Sequence, residues 1–505
     1  MAARAGARAH GGAQRTVIVG AGSAGDLLLR DLLRSPDHGY SVLGFVDDDP
    51  AKVGAWIGGR PVLGTLEELP RVVRDLHATM VMLAIPRLPA ARIREILTLC
   101  GKLKVSFKIV PASFAVLDQK IGTAMLHDLS PEDLLPRDAV DFDGGEIRRL
   151  VEGRRVLVTG AAGSIGAEIA TQLAGHGVGA LVLVDMNENG LYLLARRLRE
   201  TRPGVVVHTQ VADIREPSRL LRLGERYRPE FVFHAAAHKH VPLMEEAPEE
   251  AIKNNVLGTR NVVRMADACG AERLVFISTD KAVKPSSVMG ASKRIAELVV
   301  REQARRSRTK MTAVRFGNVL GSNGSVVPIF KEQIERGGPV TVTHEDCTRY
   351  FMTIPEAVGL VLLAGLGDYG DLCILDMGEP IRIADMAANL ITLAGFIPGE
   401  EIPIVFTGLR PGEKLHEELL TEEEEETRVV RNRIAAARSP APPRDLDERI
   451  AELGRLAEAG DRGAILEGIR KIVPTYAAPG GGDGAQPPRD EGEVIPFRAT
   501  GSRPR

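Results

Sequence analysis

The stretch from Ser278 to Lys293 gathers side chains that can move protons and hold anions: Thr279, Asp280 and Lys281 adjoin, and Lys293 follows downstream. Met289 precedes Lys293 by four residues, a spacing that sets both on one face of a helix. A thioether neither takes nor gives a proton, so acid-base work here falls to the upstream trio. A free Asp ionises near pH 4 and a free Lys near 10.4. For Asp280 to donate or Lys281 to accept a proton, burial and neighbouring charge must shift both. The hydroxyl of Thr279 can polarise or relay, but it does not ionise near neutrality. On these residues alone, core packing for Met289 and a solvated surface pair for Asp280 and Lys281 stay open as alternatives.

These groups need a scaffold, and the preceding sequence supplies one. Arg155-Val-Leu-Val-Thr-Gly160-Ala-Ala-Gly163-Ser164-Ile165-Gly166 leads from an apolar strand into a glycine turn and a helical segment from Ala167. Such glycines permit a tight turn and close approach of backbone to a pyrophosphate, and the helix N-terminus offers free N–H groups to the anion. The next apolar run, Leu181 to Val184, ends in Asp185, placed to bind ribose hydroxyls. Neither Met186 nor Asn187 offers a cation for a 2′-phosphate, so the expected cofactor is NAD rather than NADP. Asp213, after the strand candidate Val205 to Val207, reads either as an adenine contact or as a surface acid. Phe231 to His234 and Leu274 to Ile277 follow as strands, with Ala235 among the cofactor-binding residues. Ser278 to Lys281 therefore lie at a strand's carboxyl end, where doubly wound sheets bind ligands.

A second glycine pattern, Thr16-Val-Ile-Val-Gly20-Ala-Gly22-Ser-Ala-Gly25, again reads strand, turn, helix, and the strand Ser41 to Val46 ends in Asp47. Met80 to Ile85 and Lys104 to Val110 are further strands of this unit. The fold class is α/β, with two tandem Rossmann-like doubly wound parallel sheets, the second carrying a small C-terminal substrate-binding region. The expected division is a disordered lead-in over 1–14, a first unit over 15–113, a linker over 114–152, the catalytic unit over 153–476 and a disordered Gly/Pro-rich tail over 477–505. The first unit has no counterpart of Ser278 to Lys293. It either binds a nucleotide or serves assembly or regulation.

The chain has 505 residues and a formal net charge of −2, giving no electrostatic footprint for nucleic acid or an anionic membrane. Cys100, Cys269, Cys347 and Cys373 lack metal-ligand spacing, so no metal site is expected and a reducing compartment is. No apolar run reaches the roughly 18 to 20 residues of a membrane-spanning helix; Ala357 to Leu366 reads as a buried helix instead. Glu422 to Glu426 reads as a solvated helix face.

Further blocks give the sequence a specific likeness. His234 to Glu245, Asn254 to Thr259, Ser278 to Val283, Val288 to Arg294, Arg315 to Ser322, Gly324 to Pro328, Gly337 to His344, Thr348 to Met352 and Leu409 to Lys414 together resemble the polysaccharide-biosynthesis nucleotide-sugar dehydratases. Within that CapD-like group of extended short-chain dehydrogenases, the chain is similar to the long-form UDP-N-acetylglucosamine 4,6-dehydratases over roughly Thr16 to Tyr476. Ordinary short-chain dehydrogenases carry a catalytic Tyr where this chain has Met289, four residues before Lys293. His238 replaces the family's usual aromatic residue before Lys239, and Glu345 and Cys347 depart from its usual loop before Arg349. Members typically begin with several membrane-spanning helices that this sequence lacks. The expected location is cytoplasmic, with attachment at the inner face of the membrane as the alternative.

The resemblance implies a hydro-lyase that uses bound NAD to turn a UDP-N-acetylhexosamine into a 4-keto-6-deoxy sugar, acting as a homo-oligomer. It gives Thr279 a hydrogen bond to the sugar 4-hydroxyl, Asp280 the part of acid at C6, Lys281 that of base at C5, and Met289 packing beside the sugar. Those two parts are exchangeable. Lys293 would hydrogen-bond the nicotinamide ribose, and Asn255 would support the backbone nearby or cap a helix. Arg349 and Arg410 would clamp the diphosphate bidentately, Asn318 and Ser325 would hold phosphate or sugar oxygens, and Lys239 would approach the sugar. A UDP-sugar 4-epimerase and a non-catalytic nucleotide-sugar-binding scaffold are the other readings. Asp280 and Lys281 without a Tyr favour elimination over epimerisation, and the intact trio argues against a scaffold.

Overall fold

The computed structural model describes residues 13–34, 39–85, 88, 90–103, 105–109, 127–128, 144–322 and 324–477. Most of the lead-in, most of the linker and nearly all of the tail expected above lie outside them.

Alternation of short apolar strands with amphipathic helices builds two separate sheets. Among the described residues the first has seven strands, in the order Trp56–Ile57, Arg60–Gly64, Tyr40–Val46, Gln14–Val19, Met80–Leu83, Ser106–Ile109 and His127–Asp128. All neighbours are parallel except the two-residue strands at either edge. Val17, Ile18, Phe45, Met82 and Leu83 are buried on its two faces, as a helix-covered parallel sheet requires.

The second sheet has nine strands among the described residues. Val206–Val211, Ala180–Asp185, Arg155–Thr159, Phe231–His234, Arg273–Ile277, Lys310–Arg315 and Leu372–Leu375 run parallel in that order, and Ile434–Ala437 and Val429–Arg431 add an antiparallel edge. Chain order reverses between Arg155–Thr159 and Phe231–His234, and a crevice opens beyond the carboxyl ends of strands at such a switch point. Its walls are the turn after Thr159 and the segment after His234. The helix Ile354–Leu366 is buried against this sheet, as its continuous apolar sequence implies.

Parts of the stretch expected as a linker take part in packing. His127–Asp128 pairs with Ser106–Ile109, and the helix Gly144–Val151 places Ile147 and Val151 in the core of the second sheet. Past the sheet, the helices Val326–Glu335 and Ile383–Leu393 enclose a smaller apolar cluster with Val340–Val342 and Ile404–Phe406. The helix Ala90–Leu103 of the first unit packs against Ile383–Leu393 of this region.

Candidate active site

The glycine turn has the shape a dinucleotide needs. Gly160 sits at φ +67°, and a Cβ there would lie 2.5 Å from the Ala236 nitrogen; one on Gly166 would lie 2.1 Å from the Gly160 carbonyl oxygen. Gly163 caps the helix Ser164–Gly175, which puts Ser164 and Ile165 in its first turn with the positive end of the dipole. Asp185 accepts from Ala162 N and Asn187 N, each at 2.9 Å, and so ties the strand end to the turn. A carboxylate has capacity for about four acceptor bonds, so ribose hydroxyls can still be accommodated. Ala235 closes the opposite wall through its N–H to Thr159 O at 3.1 Å. Asp213 is held by Arg215, whose Nε and backbone N donate to its two oxygens at 2.7 and 2.8 Å.

Asn255 does not cap a helix. It lies in a π-helical stretch, Ile252–Gly258, a widened turn of a kind found often at functional sites. Its side chain accepts from His238 N at 2.8 Å and donates to His238 O and Ser292 Oγ, each at 2.9 Å. The amide thereby fixes the backbone just before Lys239, which is itself exposed.

Lys293 lies on the helix Val288–Ala304 and is buried. Its Nζ donates to Ile277 O at 2.6 Å and stands 4.0 Å from the Phe276 ring centre. Burial pushes its pKa down to about 7, although the Glu297 carboxylate pulls the other way. Met289, one turn earlier, is buried in an apolar cluster with Ile252, Val256, Leu446 and Ile469. Met289 thus packs in the core on the helix that carries Lys293, outside the lining of the cavity beside Lys281.

Thr279, Asp280 and Lys281 leave the strand Arg273–Ile277 in a single 3-10 turn. Asp280 is fully buried, and its Oδ1 accepts from Thr279 Oγ1 at 2.7 Å, Lys281 N at 2.9 Å and Lys281 Nζ at 3.0 Å. Its Oδ2 is buried without a hydrogen-bond partner. Lys281 Nζ also donates to Asn318 Oδ1 at 3.1 Å and lies 3.8 Å from Glu417 Oε1. Burial drives the Lys281 pKa down, but the Asp280 and Glu417 carboxylates outweigh it, and the net shift is upward. That reverses the downward shift a resident base at C5 requires. The reason is the ion pair with Asp280.

Lys281 opens on a cavity of about 140 Å³, also lined by Ser286, Arg349, Arg410, Gly412, Lys414 and Glu417. Arg410 is an exposed part of that lining. Arg349 is buried, and its Nη1 donates to Thr348 O and Leu415 O while Nη2 donates to Glu413 Oε1 and Lys414 O. Of the five N–H donors of a guanidinium, only that of Nε is left, facing Glu417 at 3.9 Å. The expected diphosphate clamp is therefore corrected for Arg349, which pins the loop 413–415 instead. Ser325 caps the helix Val326–Glu335 with its Oγ buried and unpartnered, and is not part of this lining.

With this geometry in view, comparison with known proteins is specific. A profile of the family described as polysaccharide biosynthesis protein matches residues 156–439. The chain is 47% identical over 412 residues to the probable polysaccharide biosynthesis protein EpsC of Bacillus subtilis, spanning 81% of this chain and 69% of that one. The chain belongs to the polysaccharide biosynthesis protein family. CapD of Staphylococcus aureus, a capsular polysaccharide biosynthesis protein, is 46% identical over 423 residues, 83% of this chain and 70% of its own. The solved structure of Pen from Bacillus thuringiensis matches with a TM-score of 0.53 and 31% identity, covering 58% of this chain and 89% of that one. A profile described as a CoA-binding domain matches residues 1–111.

For this family member, two site features escaped the sequence. Glu417 follows the block Leu409 to Lys414 by three positions inside a charged run, and nothing in that run separates it from its exposed neighbour Glu418. Burial, ahead of nearby Asp280, pushes its carboxyl above the usual range against the pull of Lys281 and Arg349, and Oε2 has no hydrogen-bond partner. Over Glu422 to Glu426 the helix face is solvated as expected except at Glu424. Glu424 is fully buried and pairs with Arg315 at 2.7 Å and Arg294 at 3.2 Å, while Arg315 also binds Glu297, which accepts from Ser278 Oγ at 2.7 Å. A buried guanidinium needs its counter-charges. This network braces the strand end that carries the trio.

Proposed function

We propose that the chain is an NAD-dependent 4,6-dehydratase of a UDP-N-acetylhexosamine, most consistent with UDP-N-acetylglucosamine, that makes a 4-keto-6-deoxy sugar for glycan biosynthesis. The observation that carries this reading is the hydrogen-bonded run from Thr279 through Asp280 to Lys281 at the carboxyl edge of the sheet. An epimerase needs proton transfer at O4 alone. Elimination also needs a base at C5 and an acid at C6, and a cluster with several titratable groups suits it.

Gly160, Gly163, Ser164, Gly166 and Asp185 would hold the dinucleotide, with Lys293 near the nicotinamide ribose. A dinucleotide held there would supply the hydride chemistry, acceptance from sugar C4 and return at C6. Thr279 orients the 4-hydroxyl and passes its proton to Asp280. Lys281 takes the C5 proton, made acidic by the C4 ketone, and later gives a proton back there. Arg410 and Lys414 attract the diphosphate, while Arg349 holds the loop that carries Lys414.

The test is incubation of purified protein with UDP-N-acetylglucosamine and mass spectrometry of the nucleotide sugar. Loss of one water supports the reading. An isomeric UDP-N-acetylgalactosamine of unchanged mass sinks it in favour of the epimerase.

A further inference from the structure

Elimination consumes one proton at the departing C6 oxygen, and oxidation releases one from the C4 oxygen. The sequence gives the C6 part to Asp280, but Oδ1 of that carboxylate already accepts from a hydroxyl, an amide and an ammonium. Those three donors tie Oδ1 to Thr279 and Lys281, which suits Asp280 to relay the O4 proton rather than to serve the C6 oxygen. Beyond Lys281 stands a second carboxyl of the cavity lining, Glu417, at 3.8 Å from Nζ. That distance is too long for a settled hydrogen bond and short enough for one to form with a small movement.

Resting on the dehydratase reading, we propose that Thr279, Asp280, Lys281 and Glu417 form one proton line, and that Glu417 is the acid that protonates the departing C6 hydroxyl. The steps of this line are 2.7 Å from Thr279 Oγ1 to Asp280 Oδ1, 3.0 Å from there to Lys281 Nζ and 3.8 Å on to Glu417 Oε1. Glu417 is buried, its Oε2 lacks a partner, and burial raises its affinity for a proton, so it can take one from Lys281 and pass it on to the C6 oxygen.

The balance closes without an outside acid. Asp280 receives the O4 proton through Thr279, and the Lys281 ammonium hands a proton to Glu417. The free amine then takes the C5 proton as Glu417 protonates O6; the C6–O bond breaks, the C5–C6 double bond forms and water leaves. Lys281 returns a proton to C5 as hydride arrives at C6, and Asp280 reprotonates Lys281. The net transfer is one proton from O4 to O6, and every group regains its starting form. The upward shift of Lys281 then describes the resting cluster between turnovers.

Glu417→Gln keeps the size and a hydrogen-bonding amide but cannot donate the proton. Mixed with UDP-N-acetylglucosamine, this variant of the full chain should reduce its bound cofactor, seen by absorbance, while dehydrated product falls at least about 100-fold. Glu417→Asp should recover part of the loss. Dehydration by Glu417→Gln at the wild-type rate overturns the inference alone. Loss of cofactor reduction together with product also overturns it, since Glu417 would then serve binding or folding. A wild type that epimerises without losing water sinks the dehydratase reading itself.

Discussion

Chemistry in this site turns on where protons rest. Lys281 sits with two carboxyls, and the hydrogen-bonded one, Asp280, holds it charged. Replacing Lys281 with Met should abolish product and leave NAD binding intact, read by cofactor content of the purified protein; full activity would refute its role. Thr279→Val removes the hydroxyl that contacts Asp280 and should slow turnover by about 10²- to 10⁴-fold with little change in substrate affinity, measured as kcat against Kd. The trio and Lys293 were legible in sequence because their order along the chain is also their order in space. Glu417 was not, because it reaches Lys281 from a loop 136 positions later. The commitment of Arg349 to carbonyls of 413–415 was equally invisible.

At the scale of elements, the strand–turn–helix signatures were readable because glycine spacing and apolar runs are local. Phe231–His234 folds with the bounds its sequence implies, while Val206–Val211 runs longer than Val205 to Val207 suggested. Gly166→Ala puts a methyl 2.1 Å from Gly160 O; it should cost NAD affinity at least about tenfold in titration, and unchanged affinity would contradict the proposed turn. The brace behind the trio depends on long-range ion pairs that no local pattern announces. Glu424→Gln leaves Arg315 short of a buried counter-charge and should destabilise by about 3 to 5 kcal/mol in denaturant unfolding. His234 adds a pH dependence. It is fully buried between Thr159 Oγ1 and Thr259 Oγ1, and burial, helped by the charge of Lys293, pushes its pKa down to about 3 from 6.5. Between those values the unfolded chain binds a proton that the folded one cannot, so stability is full above pH 6.5 and falls as pH drops. At pH 5 the loss should be about 2 kcal/mol. A His234→Gln variant that keeps the same pH slope in urea unfolding would contradict this.

Over the whole molecule, two sheets of like strand order differ in what surrounds the acid at the end of the second strand. Asp47 in the first mirrors Asp185 in the second: it accepts from Ala21 N at 2.7 Å, much as Asp185 accepts from Ala162 N. Asp47 is further bound by Asp49 N and Lys52 Nζ, each at 3.0 Å, whereas Asp185 has only backbone donors. The repeat was visible in the sequence; its contact with the substrate region through Ala90–Leu103 and Ile383–Leu393 was not, because packing between distant helices leaves no local trace. Among the described residues no helix is long and apolar enough to cross a membrane. The reaction proposed for this scaffold is elimination through C5. Its most direct test is NMR of the nucleotide sugar after incubation of the protein with UDP-N-acetylglucosamine in deuterated water. A 4-keto-6-deoxy product with solvent deuterium at C5 is the predicted result. A product that keeps its C6 hydroxyl and gains no deuterium at C5 would contradict it.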